Sequence, residues 1–459
     1  MASKYDAIVI GTGQSGPSLA GRMNAAGMRV AVIERKHIGG TCVNAGCIPT
    51  KTLVASARAA HMVRRAADFG VDVGGPVRVD MSRVKARMKR ISGESNTSVT
   101  SWIEGMEHVD LFRGHARLEG PGVVRVNDAV LSADRIFLNV GARARVPDLP
   151  GLDEVDYLTN SGILELDTLP RHLIVIGGSY IGLEFGQIYR RFGSAVTIIE
   201  RGPRLIARDD EDVSDAVREI LTHEGIDIRL NAECVRVARR GDDVAVRVDG
   251  PDGPQEIVGS HLLLAMGRTP NTDALGLDRA GVAVDARGYI QVDDGLRTNV
   301  PGIWALGDCN GRGAFTHTSY NDYEIVAANL FDGDARRVSD RIPCYGLYID
   351  PPLGRVGMTE REARRSGRRV LVGKRPMTQV GRAKERSETD GFIKVLVDAD
   401  TQEILGAAIL GINGDEVVHA LLDTMYAKAP YTVVARAVHI HPTVSELVPT
   451  TLQSLKPLA

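Results

Sequence analysis

The chain has 459 residues, which is enough for roughly three domains of about 150 residues each. Hydrophobic residues make up 43% of it and charged residues 25%, as in ordinary soluble globular proteins. A net charge of −2 and an aromatic content of 5% argue against a protein that binds nucleic acid through phosphate contacts or base stacking.

The sequence contains no signal for a membrane or for export. It has no run of about 18 apolar residues, so no membrane-spanning helix is expected. The apolar run at 7–10 is too short for the core of a signal peptide, and glycines follow it rather than a cleavage site. Five cysteines do not make the disulfide framework of a secreted protein. We therefore expect a cytoplasmic protein, in which a close cysteine pair favours catalysis or metal binding over a structural disulfide.

The first predicted unit runs from 7 to 34 and consists of a strand, a glycine-rich turn, a helix and a second strand. Gly11 permits a tight turn, Gly13 lets the backbone approach a pyrophosphate, and Gly16 lets the helix pack on the sheet. Unpaired N–H groups at the start of the helix favour phosphate binding. Glu34 ends the second strand, where a carboxylate can accept hydrogen bonds from ribose hydroxyls. The unit therefore predicts a dinucleotide site.

Two cysteines, Cys42 and Cys47, follow this unit within the segment 39–51. Being five positions apart, they would lie on neighbouring turns of a helix that begins here. A helix N-terminus lowers the pKa of a thiol, which makes a nucleophilic thiolate easier to form. A zinc site would need a second pair of ligands at zinc spacing, which the sequence lacks. Buried structural thiols are the alternative, but the position directly after a dinucleotide-binding unit favours redox chemistry.

The same plan recurs from 173 to 200. Gly177 and Gly182 take the first and third glycine positions of the turn, and Ser179 stands in place of the middle glycine. Serine is small, so close approach of the backbone to a phosphate remains possible. A βαβ unit that binds nothing is the alternative, and the completeness of the plan argues against it.

The end of this second unit bears on the choice of nicotinamide cofactor. Glu200 occupies the position that can bond a ribose 2′-hydroxyl and repel a 2′-phosphate, which favours NADH. Arg201 and Arg204 follow closely and are candidates to bind a phosphate instead. The sequence thus favours NADH and leaves NADPH open.

The domain organisation follows from turn signals at 148–151 and 299–302, which bracket the second unit. They predict an interrupted first domain with the second domain inserted into it. Alternating strands such as 392–397 then indicate a separate α+β domain. The predicted fold class is α/β, with two Rossmann-like dinucleotide-binding domains and a C-terminal α+β domain. The predicted boundaries are 1–150 for the first part of the first domain, 151–275 for the inserted domain, 276–340 for the return to the first domain and 341–459 for the last domain.

The segment 39–51 (GGTCVNAGCIPTK) is similar to the active-site segment of the class I pyridine nucleotide–disulfide oxidoreductases, a family that includes dihydrolipoamide dehydrogenase, glutathione reductase and mercuric reductase. Residues 302–308 (GIWALGD) resemble the second FAD signature of that family, and 441–446 (HPTVSE) resemble its acid–base motif. The resemblance extends over nearly the whole chain. It implies an enzyme that passes electrons from NADH or NADPH through FAD to a Cys42–Cys47 disulfide, and a homodimer formed through the C-terminal domain.

The resemblance also implies roles for single residues. Cys47 would be the thiolate beside the flavin, and Cys42 would be the interchange thiol that meets the substrate. Lys51 and Glu184 match an ion pair near flavin N5. Tyr180 matches a gating tyrosine on the nicotinamide side of the flavin.

A general acid–base is implied at His441, oriented by Glu446, in the active site of the other subunit. No metal ligands are predicted. The residues expected to bind FAD are Gly11, Gly13, Gly16, Glu34, Thr41, Lys51, Ala116, Gly141, Asp308 and Thr316. The residues expected to bind NAD(P)H are Gly177, Tyr180, Gly182, Glu200 and Gly267.

Comparison within the family narrows the expected activity. Standard mercuric reductases carry a vicinal cysteine pair near the C-terminus and high-mass thioredoxin reductases a thiol or selenol tail, and neither is present here; Cys234, Cys309 and Cys344 are interpreted as small core residues. Segments 46–54 and 351–359 are most similar to mercuric-reductase-like proteins and to the bacterial reactive-chlorine-resistance reductase. The implied acceptor is a metal ion or a small disulfide. The alternatives are dihydrolipoamide dehydrogenase, a glutathione reductase-like enzyme and, from a different class, a flavin-binding protein without turnover.

Overall fold

The computed structural model describes residues 2–458. Its strands are, in chain order, β1 (Ser3–Tyr5), β2 (Ala7–Ile10), β3 (Val30–Glu34), β4 (Val109–Arg113), β5 (Ala116–Gly120), β6 (Val123–Val126), β7 (Ala129–Ala133), β8 (Ile136–Leu138), β9 (Ala142–Ala144), β10 (His172–Ile176), β11 (Ala195–Ile199), β12 (Asp227–Arg229), β13 (Glu233–Arg240), β14 (Asp243–Gly250), β15 (Gly253–Gly259), β16 (His261–Leu264), β17 (Arg268–Pro270), β18 (Ile303–Ala305), β19 (Cys344–Leu347), β20 (Leu353–Gly357), β21 (Val370–Pro376), β22 (Phe392–Asp398), β23 (Ile404–Leu410) and β24 (Lys456–Pro457).

The α-helices are distributed between these strands and over the last third of the chain. They are, in chain order, α1 (Ser15–Ala25), α2 (Gly40–Ala45), α3 (Cys47–Arg64), α4 (Met81–Glu104), α5 (Tyr180–Phe192), α6 (Glu211–His223), α7 (Thr316–Ala327), α8 (Glu360–Arg365), α9 (Gly381–Glu385), α10 (Gly414–Val417), α11 (His419–Tyr426), α12 (Thr432–Ala435) and α13 (Leu447–Leu452).

The first large sheet is five-stranded, in the order β18-β8-β2-β3-β4, and all of its strand pairs are parallel. Every side chain of β2 is buried, because helices α1 and α7 cover one face of the sheet and the smaller sheet β1-β7-β6-β5 covers the other. Strand β18 comes from much later in the sequence and pairs with β8, in the register Ile303 opposite Ile136. The chain therefore leaves this sheet after β8 and returns to it about 165 residues later, counting from Leu138 to Ile303. A smaller sheet, β1-β7-β6-β5, stands beside it.

The second parallel sheet has the order β12-β11-β10-β16 and follows the same strand–turn–helix–strand plan, with α5 between β10 and β11. An antiparallel three-stranded sheet, β13-β14-β15, flanks it. Two short strands, β9 and β17, form an antiparallel ribbon between the two parallel sheets. The glycine-rich turns after β2 and β10, at the carboxyl ends of the two parallel sheets, line one common cavity.

The C-terminal domain is built on a six-stranded antiparallel sheet with the order β19-β20-β23-β22-β21-β24. All residues of β22 and β23 are buried, because the short helices α11, α12 and α13 cover one face and the second parallel domain packs on the other. The mixed α/β architecture and the C-terminal α+β unit confirm the predicted fold class. The domain boundaries stay predictions.

A buried charge network joins the C-terminal sheet to the second domain. The Lys394 ammonium, on β22, lies 2.9 Å from an oxygen of Asp210, 2.6 Å from Asp212 and 2.7 Å from Glu360. Arg355, on β20, also binds Asp210, at 2.8 Å. The three carboxylates lie close enough together to suit a cation, and the cation among them is the ammonium of Lys394. Within residues 2–458, none of the helices is both long and apolar enough to cross a membrane.

Candidate active site

A single cavity of about 1750 Å³ opens where the carboxyl ends of the two parallel sheets face each other. It exceeds the roughly 300–1,000 Å³ that is usual for small-molecule sites, and its position at strand carboxyl ends is where open α/β sheets bind ligands. Most of the residues that the sequence predicted line it: Gly11, Gly13, Glu34, Thr41, Cys42, Cys47, Lys51, Ala116, Gly141, Tyr180, Glu184, Glu200, Gly267, Asp308 and Thr316.

Three predicted glycines lie behind the cavity wall instead. At Gly16, a Cβ would come within 2.2 Å of the Gly11 carbonyl oxygen, and at Gly182 it would come within 2.1 Å of the Gly177 carbonyl oxygen. Both glycines therefore let a helix pack tightly against its own turn. Gly177 has φ +117°, which only a glycine adopts readily, so it shapes the turn without facing the cavity.

The first glycine turn has the features that a dinucleotide requires. No side chain caps the start of α1, so its first N–H groups are available to phosphate oxygens. Gly11 has φ +104°, and a Cβ there would lie 2.2 Å from the Asn139 carbonyl oxygen. Glu34 accepts hydrogen bonds from the Thr12 N–H at 3.0 Å and the Thr12 hydroxyl at 2.7 Å, which fixes its carboxylate at the edge of the cavity. These residues fit FAD.

The same site includes two residues for which the sequence predicted no role, Asn139 and Arg268. Asn139 donates its side-chain N–H to the carbonyls of Gly11 and Gly13, at 3.3 and 3.2 Å, and so holds the turn from below. Asp308 is largely buried, which raises the pKa of its carboxyl, and it pairs with Arg268 at 3.3 Å. Asn139 lies two residues before Gly141 and Arg268 directly follows Gly267, so both belong to predicted segments, although no role was predicted for either residue itself.

The two cysteines do not share one continuous helix. Cys42 lies in α2, the chain turns at Gly46 with φ −139° and ψ −117°, and Cys47 is the first residue of α3. A Cβ at Gly46 would lie 2.8 Å from the Thr41 carbonyl oxygen, so the close approach of the two helices needs a glycine. The expectation of neighbouring turns on one helix is corrected here, and the break places Cys47 itself at a helix N-terminus.

The surroundings of the two thiols set different ionisation for each, and both are free in this structure. A hydrogen bond from Cys42 lowers the pKa of Cys47, and the Thr316 hydroxyl, 3.0 Å from its sulfur, and the nearby Lys51 charge act in the same direction. The same hydrogen bond, together with burial, raises the pKa of Cys42. The negative charge is therefore favoured on Cys47 and the proton on Cys42. Thr316, expected at the cofactor, also contacts the sulfur.

An ion pair accompanies Cys47. Lys51, one turn further along α3, lies 2.6 Å from a carboxylate oxygen of Glu184 on α5. The Glu184 side chain is only 7% exposed, so its charge is compensated by this pair. The pair brings the positive charge of Lys51 near Cys47.

The opposite part of the cavity contains an aromatic group around Tyr180, the first residue of α5. Its ring makes edge-to-face contacts with the rings of Phe315 and Tyr345, whose centroids lie 6.0 and 5.7 Å away. Its hydroxyl lies 3.4 Å from Asp209, whose burial raises the pKa of that carboxyl to about 6. The sequence predicted no role for Phe315, Tyr345 or Asp209, because no motif marks them and they come from three separate segments, Tyr345 from strand β19 and the other two from just before α7 and α6.

The second acid, Glu200, lies at the carboxyl end of β11. One of its oxygens accepts the Gly178 N–H at 2.8 Å, and the other accepts the Gly202 N–H at 2.7 Å. Arg204 lines the cavity but is paired with Glu211 at 3.1 Å and Asp215 at 2.5 Å. The carboxylate is thus held in place beneath its glycine turn, and the charge of Arg204 is compensated by two other carboxylates.

The predicted acid–base pair lies away from the cavity of its own chain. His441 Nδ1 is 2.7 Å from Glu446 Oε2, and the histidine side chain is 80% exposed. Val438 and Ile440 next to it are 100% and 80% exposed, which is unusual for large apolar side chains. The structure brings His441 and Glu446 together and leaves the histidine ring exposed at the surface.

Comparison with known proteins agrees with this arrangement. The family model described as pyridine nucleotide-disulphide oxidoreductase matches residues 5–322, and the model of its dimerisation domain matches 344–452. A probable pyridine nucleotide-disulfide oxidoreductase, RclA of Escherichia coli K12, is 36% identical over 97% of this chain and 98% of its own length. Dihydrolipoyl dehydrogenase of Thermus scotoductus is 34% identical over 96% and 95%, and mercuric reductase of Bacillus cereus is 34% identical over 91% and 66%.

Solved structures agree as well. The HOCl-induced flavoprotein disulfide reductase RclA from Escherichia coli superposes with a TM-score of 0.90 at 34% identity, over 98% of this chain and 100% of that one. Its Cu(II) complex matches equally well. The chain therefore belongs to the pyridine nucleotide-disulphide oxidoreductase family and is an FAD-containing, NAD(P)H-dependent flavoprotein disulfide oxidoreductase.

Proposed function

We propose that this enzyme uses NADH to reduce a metal ion or a small disulfide at Cys42 and Cys47, as a cytoplasmic homodimer. The observation that carries the proposal is the unequal pair of thiols at the cavity wall, with Cys47 polarised by Cys42, Thr316 and Lys51. Bound FAD would supply the two-electron link between the nicotinamide and the disulfide. The glycine turn with Glu34 would hold its dinucleotide part, and Asp308 would meet its polyol chain.

The protein's own part in the reaction is to separate the two sulfurs. Two electrons and one proton convert the disulfide into the Cys42 thiol and the Cys47 thiolate. Loss of the Cys42 proton then frees that sulfur for the acceptor. Cys42 would attack one sulfur of a disulfide acceptor, which breaks the acceptor's S–S bond, forms a mixed disulfide and releases the first thiolate. Cys47 would then attack the Cys42 sulfur, which closes the Cys42–Cys47 bond and releases the second thiolate. His441, oriented by Glu446, would accept the Cys42 proton and return it to a released thiolate.

With a metal ion as acceptor, the electrons are counted differently. The dithiol gives up two electrons and closes its disulfide, which reduces either two Cu(II) ions to Cu(I) or one Hg(II) ion to the metal. The mercuric reductases among the relatives and the Cu(II) complex of RclA support this acceptor class.

The outward His441–Glu446 pair favours the second candidate, a dihydrolipoamide dehydrogenase, since thiol–disulfide exchange needs an acid–base.

NADH is favoured as donor because Glu200 is held at the position that receives a ribose hydroxyl, while Arg204 is paired elsewhere. The homodimer is supported by the matched dimerisation domain and the exposed apolar residues beside His441.

The test is a panel assay of the holoenzyme. NADH and NADPH are offered in turn with lipoamide, glutathione disulfide, Cu(II), Hg(II) and a quinone, and each pair is repeated with Cys42→Ser. We expect one metal ion or one disulfide to be turned over with NADH and to be lost in the variant, while quinone reduction survives. Turnover of that acceptor by Cys42→Ser at the unmodified rate would refute the proposal.

A further inference from the structure

Tyr348 enters the cavity just after strand β19 of the C-terminal domain and lies beside the Lys51–Glu184 pair. Its backbone N–H donates to Glu184 Oε1 at 3.0 Å, while Glu184 Oε2 accepts from Lys51 at 2.6 Å. The Lys51 ammonium also lies 4.5 Å from the centroid of the Tyr348 ring, over its face. One residue therefore contacts both members of the ion pair.

The position of the Tyr348 ring is itself determined by the strand before it. A Cβ at Gly346 would lie 3.2 Å from two ring carbons of Tyr348 and 3.3 Å from its hydroxyl oxygen. The ring thus packs flat over a residue that has no side chain. It is enclosed by Gly346 on one side and the Lys51 ammonium on the other.

Lys51 needs such a support. Its side chain is 33% exposed and flexible, so the ion pair alone leaves its ammonium free to adopt other rotamers toward water. An aromatic face attracts a cation that lies over it within about 6 Å. The carboxylate and the ring together favour one place for the charge, against Glu184 Oε2 and over the Tyr348 ring, where it acts on Cys47.

The groups with the largest electrostatic or hydrogen-bonding effect on Cys47 are the Cys42 thiol, the Thr316 hydroxyl, the Lys51 ammonium and the Glu184 carboxylate. Tyr348 faces Glu184 and Cys47 from the C-terminal domain, and the carboxylates of Asp415 and Glu416 lie near it on that side. Among these groups, Lys51 is the only one with a positive charge, so its position decides how well the thiolate is compensated.

We propose that Tyr348 is a positioning residue, which holds the Lys51 ammonium against Glu184, where it acts on Cys47, and so lets the C-terminal domain control the charge near the reactive sulfur. The inference rests on the proposed function only for the role of Cys47. The ionisation of Cys47 can be measured without turnover, so the two proposals fail independently.

The test measures the pH dependence of Cys47 alkylation by iodoacetamide in the Cys42→Ser holoenzyme, followed by peptide mass spectrometry. Tyr348→Leu should raise the pKa of Cys47 by about one unit, the lower part of the range for an opposite charge at close distance. Tyr348→Phe keeps the ring and should leave that pKa within a few tenths of a unit. Gly346→Ala, which pushes the ring, should shift it in the same direction as Tyr348→Leu.

A double-variant cycle shows whether the effect passes through Lys51. Once Lys51→Met has removed the charge, Tyr348→Leu should cause no further shift. The proposal is overturned if Tyr348→Leu leaves the pKa of Cys47 unchanged, if Tyr348→Phe shifts it as much as Tyr348→Leu, or if the shift persists without Lys51. Thermal unfolding of each variant checks the fold, and Gly346→Ala provides the measurement if Tyr348→Leu does not fold.

Discussion

The polarity of the thiol pair depends on which sulfur receives a hydrogen bond and which one donates it. In Cys42→Ser the serine hydroxyl can still donate to Cys47, and Thr316 and Lys51 are unchanged. We expect this variant to show a long-wavelength absorption band as isolated, from the Cys47 thiolate in contact with bound flavin. Cys47→Ser should lack the band. Reversed spectra would exchange the roles of the two thiols and leave the family assignment intact.

The ionisation of Cys47 also predicts the pH dependence of that band. Its pKa is lowered, so the thiolate persists at neutral pH and is lost only when the pH falls through the lowered value. Titration of Cys42→Ser from pH 8 downward should therefore leave the band unchanged at first and diminish it below neutrality. A midpoint near the ordinary thiol value of about 8.5 would show that the surroundings of Cys47 do not stabilise its charge.

Glu200 predicts the preference between the two nicotinamide cofactors. Replacement by Ala removes the carboxylate that repels a 2′-phosphate, so the ratio of kcat/KM for NADH over NADPH should fall at least tenfold, which corresponds to about 1.4 kcal/mol. Steady-state kinetics with both cofactors measure it. Arg201→Ala is the matched control and should change the ratio little. A preference of the unmodified enzyme for NADPH would contradict the prediction.

Sequence motifs predict single site residues only when those residues lie close to one another in the sequence. Glu34 and Glu200 follow their glycine turns at a fixed spacing, and the structure places both at the cavity edge. Asn139 and Tyr348 reach the same cavity through contacts more than 120 residues apart in sequence. Such partners are selected by packing, and no pattern within one segment marks them.

At the level of elements, the joint between α2 and α3 determines the distance between the cysteines. Gly46→Ala would place a Cβ 2.8 Å from the Thr41 carbonyl oxygen and must move one helix relative to the other. We expect the midpoint of thermal unfolding to fall and the disulfide to close more slowly after reduction, as followed by loss of free thiols. Gly93→Ala, within α4 and with open space around it, is the control and should be neutral or slightly stabilising. Equal rates of closure in Gly46→Ala and the unmodified protein would refute the prediction.

The two βαβ units were predictable because their strands are continuous apolar runs that end in glycine turns. The break at Gly46 was not. Residues on both sides of it suit a helix, and the break follows from a backbone contact with Thr41 that no propensity describes. The sequence can thus locate an element better than it can locate an interruption within one.

At the scale of the whole molecule, the outward direction of His441 predicts an active site shared between subunits. Light scattering should give about twice the chain mass of 49.4 kDa. Cys47→Ser and His441→Gln should each reduce a disulfide acceptor poorly as homodimers, while a mixed dimer regains one complete site and about half of the activity. No recovery on mixing would place the histidine in the site of its own chain.

Val438→Asp and Ile440→Asp, at the exposed apolar surface, should weaken the dimer.

The antiparallel C-terminal domain was predictable from strands that alternate and from the change of pattern near residue 341. Its attachment was not, because it depends on Lys394 of β22 reaching Asp210 and Asp212 from nearly two hundred residues earlier. A lysine inside a strand looks like a solvent-facing residue until its carboxylate partners are known.

The position of β18 in the first sheet has a consequence for the order of events during translation. The ribosome makes the glycine turn at Gly11 early, but the edge strand that pairs with β8 begins only at Ile303, and Asp308 follows it. Until two-thirds of the polypeptide has been made, the nascent chain has one wall of the flavin pocket and lacks the other. We therefore expect cofactor capture to be a late event in biogenesis, after the inserted nucleotide domain has left the exit tunnel.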